Sequence, residues 1–124
     1  MLIGRSGVYE SDNQGDRIVN VSFDGIKKAS IITALAYGGR ENGADARDVA
    51  YVGAYGDNPE NGSLLFLREG GFGSKKFVQL NRFLEVSGGS EIRDIVLDPQ
   101  NFRTVYVATR TAVLQLSLIH LSEP

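Results

Sequence analysis

Three stretches of this chain hold residue types in spacings that could do chemistry. Asp57-Asn58-Pro59-Glu60-Asn61-Gly62 gathers several oxygen ligands in one short segment, and hard cations such as Ca²⁺ are held by such loops. The same composition is that of a polar turn, which is the simpler reading. Asp12-Asn13-Gln14-Gly15-Asp16 opens like a calcium loop. It carries Arg17 where an EF-hand needs a sixth-position glycine and Phe23 where it needs a twelfth-position glutamate, so it fails as one. Gly70-Gly71-Phe72-Gly73-Ser74-Lys75 has the residue types of a phosphate cradle. It lacks the P-loop spacing and a following helix, and it reads as a hairpin turn. These residues point to no cofactor, no metal site and no catalytic group.

Composition narrows the classes further. The 124 residues carry 15 acidic and 13 basic side chains, a net charge of −2, without a basic patch. Nucleic acid is therefore not an expected partner. No window approaches the run of about 18 apolar residues that would span a membrane as a helix. Cysteine is absent, which excludes disulfides and thiolate metal sites. Met1-Leu2-Ile3-Gly4 has neither a charged start nor a long apolar run, so it reads as the inside of a strand rather than a signal peptide. The last nine residues, Leu116 to Pro124, resemble the translation of a transposase-type sequencing adapter, with Leu121 the one departure. On that reading 116–124 is an artefactual tail, and His120, the only histidine, has no role.

The elements that must position any site repeat. Gly4-Arg5-Ser6-Gly7-Val8-Tyr9 aligns without a gap on Thr109-Arg110-Thr111-Ala112-Val113-Leu114, a shift of 105. A third copy at Gly62-Ser63-Leu64-Leu65-Phe66 places Leu65 57 residues after Val8 and 48 before Val113. Ile32–Tyr37 matches Ile92–Leu97 at a shift of 60, and Asp48–Gly53 matches Arg103–Ala108 at a shift of 55. The five-residue difference falls in the intervening turn, where insertions are tolerated. One unit is thus predicted as four strands, Ile32–Tyr37, Val49–Ala54, Leu64–Arg68 and Phe77–Leu80. Val49, Tyr51 and Gly53 alternate with Ala50, Val52 and Ala54, apolar or small on both sides, which predicts a strand covered on both faces. Arg93 and Asp94 open the later first strand with charge, as at the rim of a channel or cleft. Gly38-Gly39, Asn58-Pro59, Asn61-Gly62, Gly70-Gly71, Gly88-Gly89 and Asp98-Pro99 mark the reversals.

This self-similarity, with β-type content, predicts an all-β chain and a fragment of a radially repeated propeller, about two four-stranded antiparallel blades. Residues 2–23 form the end of one blade, 29–80 a complete blade, and 91–115 the first three strands of the next. Two blades cannot close a ring, so apolar faces and edges stay uncovered. The expected partners are the remaining blades of a longer polypeptide, and the isolated chain is expected to associate.

Ile92-Arg93-Asp94-Ile95-Val96-Leu97-Asp98-Pro99, followed after a short turn by Thr104-Val105-Tyr106-Val107-Ala108-Thr109, resembles the Asp-box (bacterial neuraminidase repeat, or sortilin-like) β-propellers. Photosystem-assembly-factor-like and xyloglucanase-like proteins belong to that group. Gly7-Val8-Tyr9-Glu10-Ser11-Asp12-Asn13-Gln14-Gly15 fits the blade's later part, with Ser11, Asn13 and Gly15 at the Asp-box positions. Arg17 and Ile18 then depart from the pattern, and Arg68-Glu69-Gly70-Gly71 is a more degenerate copy. The resemblance covers residues 2–115.

It implies that Ser11, Asn13 and Gly15 are structural turn residues on the side away from ligands. It also implies that the connection from second to third strand and residues 81–90 share the ligand-facing side. Tyr55, Asp57, Arg82 and Arg93 are then the ligand-binding candidates. Arg5 and Arg110, recurring at one blade position, read as architectural, and Tyr51 and Tyr106 as packing between blades. The implied function is a non-catalytic scaffold or interaction module for a protein or glycan, in a large extracellular or cell-surface bacterial protein. The alternative is part of a glycoside hydrolase propeller, sialidase- or xyloglucanase-like, which would need paired carboxylates or a tyrosine nucleophile with arginines.

Overall fold

The computed structural model describes residues 2–3, 7–11, 18–21, 31–38, 40–41, 44–45, 49–55, 63–69, 75–80, 83, 90–98 and 100–117. Apolar and β-branched runs bounded by Gly, Asn and Asp turns become strands: β1 Leu2–Ile3, β2 Val8–Glu10, β3 Val19–Asn20, β4 Ile31–Tyr37, β5 Arg40–Glu41 and β6 Ala44–Asp45. They continue with β7 Ala50–Tyr55, β8 Ser63–Arg68, β9 Val78–Gln79, β10 Ile92–Leu97, β11 Thr104–Thr109 and β12 Val113–Ser117. The fold is all-β, and every strand pair is antiparallel. The first sheet has the order β1-β2-β3, the middle sheet β4-β7-β8-β9 and the third sheet β10-β11-β12. A small hairpin, β5-β6, lies in the long connection between β4 and β7, where the sequence reads only as a Gly-rich turn.

Both faces of the middle sheet are covered. Val52, Ala54, Leu64 and Phe66 cluster with Val8 and Val21 of the first sheet and its exit, forming the first seam. Tyr51, Leu65 and Leu67 cluster with Ile95, Val105, Val107 and Leu116 of the third sheet, forming the second seam. Every residue of β8 is buried, as are all of β7 except Tyr55. Burying one such Leu or Phe stabilises by about 1.5–3 kcal/mol, which favours closing the sheets on one another at both seams. At Gly53 a side chain would come within 3.0 Å of the Ile92 Cδ1 and Cγ2 atoms. The missing Cβ is what lets the third sheet close on the middle one there.

A bulge recurs at the repeat spacing. In β4, Thr33 is the extra residue between the pairs Ile32↔Ala54 and Ala34↔Gly53. In β10, Arg93 is the extra residue between Ile92↔Thr109 and Asp94↔Ala108. Thr33 and Arg93 are 60 residues apart, the shift that relates the two strand sequences. An extra residue breaks the two-residue alternation, so side chains on either side of it face opposite ways. Ile32 accordingly joins the first seam and Ala34 the second.

The turns are built differently. Gly38 follows β4 with φ at 88°, a left-handed angle that suits glycine, and its N–H donates to the Val49 carbonyl at 2.8 Å. Between β10 and β11, Asp98 Oδ1 accepts from the Gln100 N–H at 2.8 Å and Asn101 Oδ1 from the Arg103 N–H at 3.1 Å. These Asx bonds make the short turn self-supporting.

Candidate functional site

The strand order brings one set of connections to a common end of the middle and third sheets. β7 ends at Tyr55 and β8 begins at Ser63; β11 ends at Thr109, β12 begins at Val113, and β10 begins at Ile92. At that end a cleft of about 440 Å³ is lined by Tyr55, Ser90, Glu91, Arg110 and Thr111. Tyr55 comes from the middle sheet and the other four from the third sheet's tip.

The hairpin tip holds its shape through Thr109. Its Oγ1 accepts from the Thr111 and Ala112 N–H groups at 3.3 and 3.2 Å, and its N–H donates to the Ala112 carbonyl at 2.8 Å. The Arg110 N–H donates to the Glu91 carbonyl at 3.0 Å, and the hydroxyls of Ser90 and Thr111 are 2.9 Å apart. Two connections distant in sequence are thereby tied into one wall. Glu91 is held from the strand side, its Oε2 lying 3.0 Å from Arg93 Nε. With side chains 58% and 23% exposed, that pair is worth about 0–1 kcal/mol and orients the carboxylate more than it stabilises the fold.

Of the ligand-binding candidates read from the sequence, Tyr55 lines the cleft and Arg93 stands behind it through Glu91. Asp57 and Arg82 lie outside the described residues, as do Asn13, Gly15 and residues 118–124. Ser11 is half-buried at the end of β2. Ser90, Glu91 and Thr111 were not legible as cleft residues, and Arg110 reads from the sequence as architectural. Its side chain is exposed and its backbone does pin the tip, so it serves both the wall and the cleft. The usable signal was position: Arg110-Thr111 is the same connection, second to third strand, that carries Tyr55 in the preceding unit.

A second cluster of ionisable groups is sealed inside the first seam. Arg68 of β8 donates from both terminal nitrogens to Glu10 of β2, Nη1 to Oε1 and Nη2 to Oε2, each at 2.6 Å. The Tyr37 hydroxyl of β4 donates to Glu10 Oε2 at 2.5 Å. The Arg68 and Glu10 side chains have no exposed surface. Burial alone would lower the Arg68 pKa, but the hydrogen bonds and negative charge of Glu10 outweigh it and raise the value. The Phe77 ring lies 5.7 Å from the guanidinium. A fork-to-fork pair with no open side binds nothing from solution, and its work is between sheets.

The second seam fills the corresponding places with leucine. By the repeat alignment Leu67 stands for Glu10, Leu116 for Arg68 and Leu97 for Tyr37. All three pack into the second seam's apolar cluster. Leu116 and Ser117, which the sequence reads as the start of an artefactual tail, lie in β12, with Leu116 paired with Val105 and buried. Another bond crosses that seam: the buried Tyr51 hydroxyl donates to the Phe102 carbonyl at 2.8 Å.

Among the described residues no group of three or more His, Cys, Asp or Glu could hold a metal ion. No described helix is long and apolar enough to cross a membrane. The cleft offers a guanidinium, a phenol, two hydroxyls and a tethered carboxylate. That mixture can hydrogen-bond a polar ligand and stack against its apolar side. No protein-family model matches the chain, and the comparisons with curated proteins and with solved structures give no match.

Proposed function

We propose that this chain is a piece of a β-propeller and serves as a non-catalytic interaction module in a larger exported protein. The cleft at Tyr55, Glu91 and Arg110 is its ligand-facing end. The observation that carries the reading is the recurrence of one bulge, at Thr33 and Arg93, in the first strands of two sheets packed face to face. A closed sandwich does not need two sheets built to one plan, whereas radial repetition does. The resemblance to Asp-box propellers supplies the rest, including the cell-surface setting and the choice between protein and glycan ligands.

The cleft favours a glycan. A tyrosine ring suits the apolar face of a sugar, and Ser90, Thr111, Glu91 and Arg110 suit its hydroxyls. A glycan array probed with the purified chain and with its Tyr55→Ala/Arg110→Ala variant tests this. The expected result is binding that the variant loses. An empty array, or binding the variant keeps, overturns the glycan reading. Release of reducing sugar from a bound glycan would support the glycoside hydrolase alternative in place of the scaffold.

A further inference from the structure

We infer that the cleft selects sugars bearing an anionic oxygen group, a carboxylate or a sulfate ester, and that Arg93 is the positioning residue for this choice. The inference rests on the glycan reading of the cleft and adds the charge that its ligand carries. Among the described residues that line the cleft, Glu91 and Arg110 are charged, one of each sign. A carboxylate and a guanidinium on one wall attract each other, and a pair closed in that way offers a ligand no net charge.

A third charge holds them apart. Arg93 Nε lies 3.0 Å from Glu91 Oε2, so the carboxylate is answered from the strand side. The backbone around Arg110 is fixed, its N–H on the Glu91 carbonyl at 3.0 Å and the tip braced by Thr109 Oγ1. The Arg110 side chain is exposed and has no ion-pair partner among the described residues. Two guanidinium groups against one carboxylate leave a single positive charge, and it stands at Arg110. The hydroxyls of Ser90 and Thr111, 2.9 Å apart, share that wall. A guanidinium fork takes two oxygens of a carboxylate or sulfate at once, and hydroxyls donate to either.

The repeat separates this charge pair from the needs of the strand. At a shift of 60, Ile31 and Thr33 stand at the places of Glu91 and Arg93. β4 forms the same bulge with those neutral residues. The strand therefore does not require the pair, and its effect falls on the cleft, where it keeps Glu91 off Arg110.

The test is an array of hexuronans and sulfated galactans, each printed beside its carboxyl-reduced or desulfated counterpart and probed with the purified chain. Binding confined to charged members is expected, and the family that binds tells carboxylate from sulfate. Arg110→Gln should weaken that binding about tenfold, as for one lost charge-assisted contact. Arg93→Thr, the residue that the equivalent bulge carries, releases Glu91 toward Arg110 and should weaken binding about as much. Arg93→Lys should keep it, and Arg93→Thr combined with Glu91→Gln should restore it, a rescue that a merely structural role of Arg93 does not give. Urea midpoints matching the wild type show that the variants remain folded. Neutral counterparts bound equally well, an Arg93→Thr chain that binds as the wild type does, or a double variant that is not restored overturns the inference and leaves the glycan reading standing. An array with no binding overturns both.

Discussion

The two seams solve one packing problem with opposite chemistry. In the first, Glu10, Arg68 and Tyr37 form a sealed hydrogen-bonded network; in the second, Leu67, Leu116 and Leu97 stand at the same three places. The spacing between sheets accommodates both. What differs is tolerance of error. A leucine accepts any apolar neighbour of similar volume, whereas a buried guanidinium accepts only a carboxylate positioned to receive its fork. Desolvating such a pair offsets most of its attraction, so the network adds little net stability over an apolar filling. What the network adds is a geometric condition that an apolar filling does not impose, since the fork is satisfied only when Glu10 faces Arg68.

The comparison breaks most visibly when one partner of the network is removed. Glu10→Gln leaves Arg68 charged and buried without its carboxylate and is expected to cost about 3–5 kcal/mol, measured as a shift in the urea unfolding midpoint. In the second seam Leu67→Ala removes apolar contacts and leaves a cavity, an expected loss of about 2–5 kcal/mol by the same measurement. The two variants should differ in salt and pH response: the charges of the first seam are fully buried, whereas the described ion pair at the second, Arg103 with Glu69, is about half exposed.

A smaller effect sharpens the contrast. Tyr51→Phe in the second seam removes the bond to the Phe102 carbonyl and should cost about 1 kcal/mol. Burial pushes the Tyr51 phenol above its ordinary value of 10.0, with the Glu69 carboxylate adding to the rise and Arg103 opposing it. The folded chain therefore keeps a proton that the unfolded chain loses above pH 10. This contribution is complete below that pH and falls by up to about 1.4 kcal/mol per pH unit above it. Unfolding midpoints across alkaline pH should fall more steeply for the wild type than for Tyr51→Phe.

Much of the fold was legible because strands announce themselves by period and turns by residue type. The unit read as Ile32–Tyr37, Val49–Ala54, Leu64–Arg68 and Phe77–Leu80 compares with β4, β7, β8 and β9 at Ile31–Tyr37, Ala50–Tyr55, Ser63–Arg68 and Val78–Gln79. The apolar or small residues on both sides of β7 foretold its burial. The buried charges were not legible. Glu10 and Arg68 sit at strand ends beside polar turns, where charge is ordinarily solvated, and only the stacking of two sheets turns them toward each other. The bulges escaped for a similar reason: Thr33 and Arg93 differ in chemistry, and the extra residue shows only in the pairing. Of the cleft, Tyr55 was found from its position after the second strand, while Ser90, Glu91 and Thr111 are too ordinary in type to stand out.

The most direct test of the stacked, equivalent sheets is to rebuild the first seam as the second. Glu10→Leu, Tyr37→Leu and Arg68→Leu combined in one chain should unfold at a urea midpoint equal to or above that of the wild type, by as much as about 4 kcal/mol, although Glu10→Leu alone is strongly destabilising. A triple variant no more stable than that single one would show that the three places in the two seams are not equivalent, and the account would fall.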